Sequence, residues 1–172
     1  MRRVIAILCS VALLGAVLAP AALAARPSAA APIRGVIVDM ATYGPCPVTS
    51  AVPVADPSGC WYGHVVGDIN GVIAFWEDPP GYGSGQSAAF HFFEKFTFFP
   101  DSGGWFAGYD DGHWSQFTKF HASGFVTSAS QGWVGMVGYR FYEMGVTTCN
   151  DVGCTAYGTE LRMSKAAGEP LD

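Results

Sequence analysis

Apolar and polar residues alternate with a period of two over most of the chain beyond residue 60, the pattern of strands that bury one face. In Phe90-His91-Phe92-Phe93-Glu94-Lys95-Phe96-Thr97-Phe98-Phe99, four aromatics (Phe90, Phe92, Phe96 and Phe98) share a face with Glu94. Between Lys119 and Ser128 the apolar face is Phe120, Ala122, Gly124 and Val126, and His121 points the other way. The stretch from Trp61 to Trp76 reads as one alternating strand. Val65, Ile69, Ile73 and Phe75 lie on one face, His64, Asp68 and Asn70 on the other, and Gly63, Gly67 and Gly71 interrupt it.

Further strands are predicted at Ile33 to Met40, Gly104 to Asp110, Trp133 to Met144 and Thr155 to Met163. Turn signals separate them: Asp101-Ser102-Gly103-Gly104, Asp110-Asp111-Gly112, Ser130-Gln131-Gly132 and a loop between two cysteines. The Pro-rich segment from Tyr43 to Cys60 is excluded from a central strand, and Asp78-Pro79-Pro80-Gly81-Tyr82-Gly83-Ser84-Gly85 reads as a loop or lid. No segment reads as a helix. Six to eight short strands joined by turns predict an all-β domain, either an antiparallel barrel of about eight strands or a sandwich. The Gly-rich, curved strands favour the barrel.

Residues 1 to 24 depart from this pattern. Arg2 and Arg3 precede an apolar run from Val4 to Leu18, and Ala22-Leu23-Ala24 supplies a small-residue cleavage site, so the segment reads as a secretory signal peptide. Cys9 follows Leu8 rather than a small residue, which argues against a lipid anchor. Residues 25 to 32 read as a flexible leader, and 33 to 172 as one domain in a secreted, extracellular or periplasmic protein. Without the signal, seven Lys and Arg oppose fourteen Asp and Glu. That acidic balance excludes nucleic acid as a partner, and no later run is long enough for a membrane-spanning helix.

Cys46, Cys60, Cys149 and Cys154 form an even set in an exported chain, and their local spacing favours Cys46 with Cys60 and Cys149 with Cys154. A zinc site is disfavoured because C-x4-C has no second matching cluster. Asp110 to His113 carries metal-capable side chains, but Asp-Gly there reads as a hairpin turn, so no metal is expected. Catalytic motifs are missing as well. There is no G-x-S-x-G, no H-E-x-x-H and no phosphate-binding Gly-Lys-Ser, and no pair of carboxylates falls on an interpretable scaffold.

Glu94 is the exception, because a carboxylate among phenylalanines is costly to bury ionised. Arg140 is a candidate partner. Tyr139 and Glu143 face one side of their strand while Arg140 and Tyr142 face the other, and the pattern leaves open which set points inward. Glu94, Tyr139, Arg140 and Glu143 are therefore the candidate ligand contacts. His64, His91 and His121 read as outward and solvated.

The stretch from Phe120 to Trp133, followed by Met136-Val137-Gly138-Tyr139, resembles the strand-turn-strand of allene oxide cyclase and dirigent barrels. Gly67-Asp68-Ile69-Asn70-Gly71 and the Phe-rich strand with Glu94 fit the same layout, so the resemblance spans about residues 61 to 148. It implies an eight-stranded barrel without cofactor that holds a lipid-like or phenolic molecule and steers its cyclisation or coupling, in a family that often forms oligomers. The alternative from the residues alone is a non-catalytic extracellular module that binds protein or glycan through its loops.

Overall fold

The computed structural model describes residues 31–42, 45–55, 59–78, 89–115, 119–151 and 153–165, with only the backbone of 89 and 90. The segment read as a signal peptide, and most of those read as a leader and a lid loop, lie outside the described residues. Eight antiparallel strands follow one another in chain order and close into a barrel: β1 (Ile33–Ala41), β2 (Trp61–Gly67), β3 (Gly71–Glu77), β4 (Ala89–Pro100), β5 (Phe106–Ser115), β6 (Lys119–Ala129), β7 (Tyr139–Cys149) and β8 (Cys154–Lys165). Closure comes from β1 pairing with β8, so no sheet edge is left unpaired.

Alternation dictates what fills the interior. On β4 the inward residues include Phe92, Glu94, Phe96 and Phe98, on β6 Phe120, Ala122, Gly124 and Val126, and on β7 Tyr139, Phe141 and Glu143. Phe96 stacks on Phe141 at 4.1 Å between ring centroids, and Phe75 meets Phe141 edge-on at 6.0 Å. Phe98 stacks on Phe106 at 4.9 Å nearer one rim, here called the lower rim, where the turn at Asp101 to Gly104 lies. The lower half of the barrel is thus filled by these aromatic rings together with aliphatic side chains such as Ile73, Val126 and Met163.

Three sequence expectations are corrected. Trp61 to Trp76 is a hairpin of two strands, because Asp68 Oδ2 accepts the Arg34 N–H and Asn70 Oδ1 accepts the Gly67 N–H, turning the chain at 68–70. Asp110-Asp111-Gly112 is not a turn. It lies in the middle of β5, where Asp110 pairs with Glu94 on one side and Gly124 on the other. The residues from Trp133 to Met136 belong to a short 3-10 helix, Gln131–Met136, and β7 begins only at Tyr139. That helix packs inward through Met136, while the Trp133 Nε1–H donates to the Gly103 carbonyl. The all-β expectation holds, since these six residues are the one helical element among those described.

The Pro-rich segment has its own small core outside the barrel. Cys60, Ala74 and Trp76, on the outer face of β2 and β3, are buried beneath Cys46, Val48 and Val54. The Ala51 N–H donates to Thr97 Oγ1, and Lys95 Nζ donates to the Pro53 carbonyl and pairs with Asp78. Disulfides join Cys46 to Cys60 and Cys149 to Cys154, with Cα separations of 5.4 and 4.0 Å. Both link the cysteines that are neighbours in sequence, and both suit an oxidising extracellular environment. No helix among the described residues is long and apolar enough to cross a membrane.

Candidate functional site

Above the Phe75, Phe96 and Phe141 layer the interior changes character. Glu94, Asp110 and Glu143 project inward from β4, β5 and β7, and one carboxylate oxygen of each lies within 4.8 Å of those of the other two. All three are buried, Asp110 completely. Neither oxygen of Asp110, nor Oε2 of Glu143, has a hydrogen-bond partner.

The backbone explains how three carboxyl groups come together. Glu94 and Asp110 are direct cross-strand partners, and Asp110 is flanked on its inward face by Gly108 and Gly112. The next inward positions around the barrel are Gly124, opposite both Asp110 and Phe141, and Ala122, opposite Glu143. Small residues on β6 therefore leave the space that the acidic side chains of β5 and β7 occupy. At Gly112 the site for a Cβ is already filled, with Phe92 Cζ at 2.7 Å and the His121 carbonyl oxygen at 2.2 Å.

Burial raises the pKa of each carboxyl group well above the ordinary carboxylate value, and negative neighbours raise it further. For Glu94, desolvation is followed by the charges of Asp110, Glu143 and Glu77; for Asp110 by Asp111; for Glu143 by Asp110. Glu77 is the cross-strand partner of Glu94 at the end of β3. The three groups titrate as a unit and hold their protons to higher pH than isolated carboxyl groups do, since like charges this close resist ionising together.

Glu94 and Glu143 also line a cavity of about 20 Å³, enough for a water molecule or two. Its remaining walls are Met40, Trp61, Phe92, Trp114, Phe120, Thr147 and Glu77, all toward the upper rim. Trp61 and Trp114 meet edge-on there at 5.8 Å. Asp110 sits behind the two glutamates and out of the cavity. The arrangement offers one wall of hydrogen-bond donors and acceptors within an otherwise aromatic enclosure.

Of the four candidate ligand contacts, the structure brings Glu94 and Glu143 together and separates the other two. Tyr139 points inward but lies four residues below Glu143, beyond Phe141, and does not line the cavity. Arg140 points outward, with its guanidinium carbon 5.8 Å from the centroid of the Phe125 ring, because strand alternation places it opposite to Tyr139 and Phe141. It is not a partner of Glu94. Asp110 is the member of this cluster missed by the sequence reading, and the idea that no carboxylates share a scaffold is overturned with it. A signal was available: Gly108, Asp110 and Gly112 alternate with Tyr109 and Asp111 as a strand would. No protein-family model, curated protein or solved structure matches the chain.

Proposed function

We propose that this is an exported barrel that takes the polar head of a small, largely apolar molecule, lipid-like or phenolic, into the cavity over Glu94 and Glu143. The carboxyl cluster then gives a proton to that head and takes one back, the exchange on which a cofactor-independent isomerisation or cyclisation depends. The observation that carries this reading is the set of three mutually close, buried carboxyl groups, two of which, Glu94 and Glu143, line a cavity walled largely by aromatic side chains. Carboxyl groups whose pKa values are raised by burial and by one another suit general acid–base work. Glu94 and Glu143 face the ligand, and Asp110 behind them shares their protons. The sequence adds the signal-like segment at residues 1 to 24, and the two disulfides agree with export.

The small cavity limits how much of the ligand enters. Its polar head fits between the glutamates, while its apolar body lies against Trp61 and Trp114 at the rim. The solid lower half of the barrel is what the competing module reading expects, a filled scaffold that works through its loops.

Two measurements separate the readings. Native mass spectrometry of protein purified from its own source is expected to show a retained small molecule. A fluorescent apolar probe is expected to bind the wild-type protein and to bind Glu94→Gln and Glu143→Gln more weakly by about tenfold, the loss of roughly one charge-assisted hydrogen bond. Equal binding by the variants and the wild type would assign the function to the loops instead.

A further inference from the structure

Three of the four histidines in the chain stand side by side on the outside of the barrel. His91 on β4 is the cross-strand partner of His113 on β5, which is in turn the partner of His121 on β6. All three are exposed, and their ring centroids are 5.1 Å and 5.8 Å apart along the row. Asp111, two residues from His113 on the same outer face, holds Oδ2 3.6 Å from Nε2 of His91. On the far side of His121 its cross-strand partner on β7 is Met144, also exposed.

Neighbouring rings in the row stand near the separation that two imidazoles on one ion require, although among the described residues only the interior carboxylates already hold their donor atoms mutually within 4.8 Å. With a metal–nitrogen bond of about 2.0 Å, an imidazole centroid lies about 3.2 Å from the metal, and two rings at a tetrahedral angle have centroids about 5.2 Å apart. The His91–His113 pair is already at that distance, and for one ion to be shared by all three, His91 and His121, which flank His113 from either side, must turn their exposed rings towards it. The three ligands stand on adjacent strands of a closed barrel, so their Cα positions are fixed before any ion arrives. Imidazole nitrogens with one carboxylate select borderline transition metals over the hard cations that prefer all-oxygen sites.

We propose that His91, His113 and His121, with Asp111, form a surface site for a borderline divalent transition-metal ion, Zn²⁺ or Cu²⁺, with His113 as its central ligand. The site lies on the outer face of β4 to β6, on the opposite side of the strands from Glu94 and Asp110, and is independent of the chemistry proposed for the interior. Met144 beside His121 adds a soft thioether within reach of the row, which favours copper of the two ions.

The purified full chain, titrated calorimetrically with zinc chloride and with a copper(II) salt near neutral pH, is expected to take up one ion per chain. His113→Gln should weaken uptake about tenfold or more, on the scale seen when metal-site partners are lost, while His64→Gln on β2, outside the row, leaves it unchanged. Electron paramagnetic resonance of the wild-type copper complex should show coupling to imidazole nitrogen, which holds the test open even if a variant folds poorly. Copper binds an imidazole–carboxylate site more tightly than zinc in any case, so a weaker copper affinity in Met144→Leu with zinc uptake unchanged would identify Met144 as a contributor. The proposal is overturned if neither ion binds stoichiometrically, if His113→Gln binds as the wild type does, if the copper complex lacks nitrogen coupling, or if Glu94→Gln abolishes uptake and so places the ion in the interior.

Discussion

Gly124 makes room for the carboxyl cluster. A Cβ built there would lie 1.7 Å from the Tyr109 carbonyl oxygen and 2.5 Å from the Asp110 Cα, both backbone atoms that cannot step aside. Gly124→Ala is therefore expected to destabilise the protein by about 3 kcal/mol, the upper part of the range for overpacking. Gly135→Ala, with nothing within 4 Å of its new methyl group, should change stability by less than about 0.5 kcal/mol. Urea denaturation of the two variants checks both values. At this scale the sequence discloses Glu94, whose neighbours Phe92, Phe96 and Phe98 mark its face without ambiguity. It conceals Asp110, because Asp-Gly is the preferred chemistry of a tight hairpin turn and local preference gives no sign that both adjacent strands continue past it. Glu143 lies between these cases: its strand alternates clearly, but Tyr139 and Arg140 are equally plausible inward residues until the partners of β7 are known.

Among the elements, the strands were legible where alternation was uninterrupted and misread where glycine and polar residues serve two purposes. Gly67 to Gly71 could continue a curved strand or turn a hairpin, and only the long-range bond from Arg34 N–H to Asp68 decides between them. The 3-10 helix at Gln131–Met136 is likewise invisible, since six residues with Gly132 and Gly135 carry no helical period and are held by contacts such as Ser130 with Trp105. The Pro-rich loop depends on a different kind of link. Its covalent tie from Cys46 to Cys60 closes fourteen residues of separation over the outer core at Trp76. Replacing both cysteines by serine is expected to cost about 3 kcal/mol through the freed unfolded chain. The Cys149–Cys154 pair, closing a separation of five at the β7–β8 turn, should cost less when replaced. Thermal denaturation of the two double variants orders them.

For the molecule as a whole, the buried carboxyl groups set how stability depends on pH. Each has a folded-state pKa raised above its unfolded value of about 3.9 for Asp and about 4.3 for Glu. Between those two values the native state binds more protons than the unfolded chain, so this contribution is complete below the unfolded pKa and is lost as pH rises through the folded one. The melting temperature is expected to fall between mildly acidic and mildly alkaline pH, opposite to the trend set by salt-bridged carboxylates. Asp110→Asn should flatten that fall and raise the melting temperature at the alkaline end. Calorimetric scans across the pH series test both, and a profile that rises with pH would show that the cluster is not a protonated unit. The barrel itself was legible from strand number, turn spacing and glycine content, whereas its division into a packed lower half and an acidic upper half was not, because which inward residues share a level depends on the register between strands.

Ile33 and Met163 are neighbours across the β1–β8 seam at the rim away from the cavity: β1 starts there and runs up to Met40 in the cavity wall, and β8 runs down to Lys165, beside Tyr139. The two ends of the folded chain therefore leave from the lower rim, while Trp61, Trp114 and the glutamates lie toward the upper one. A tether attached through either end, whether to a surface, a bead or a fused reporter, would hold the barrel with the cavity turned outward. The same adjacency would let a short linker join the ends and the exposed turn at Asp101 to Gly104 be opened as new termini, giving a rearranged chain that preserves every strand pairing around the carboxyl cluster.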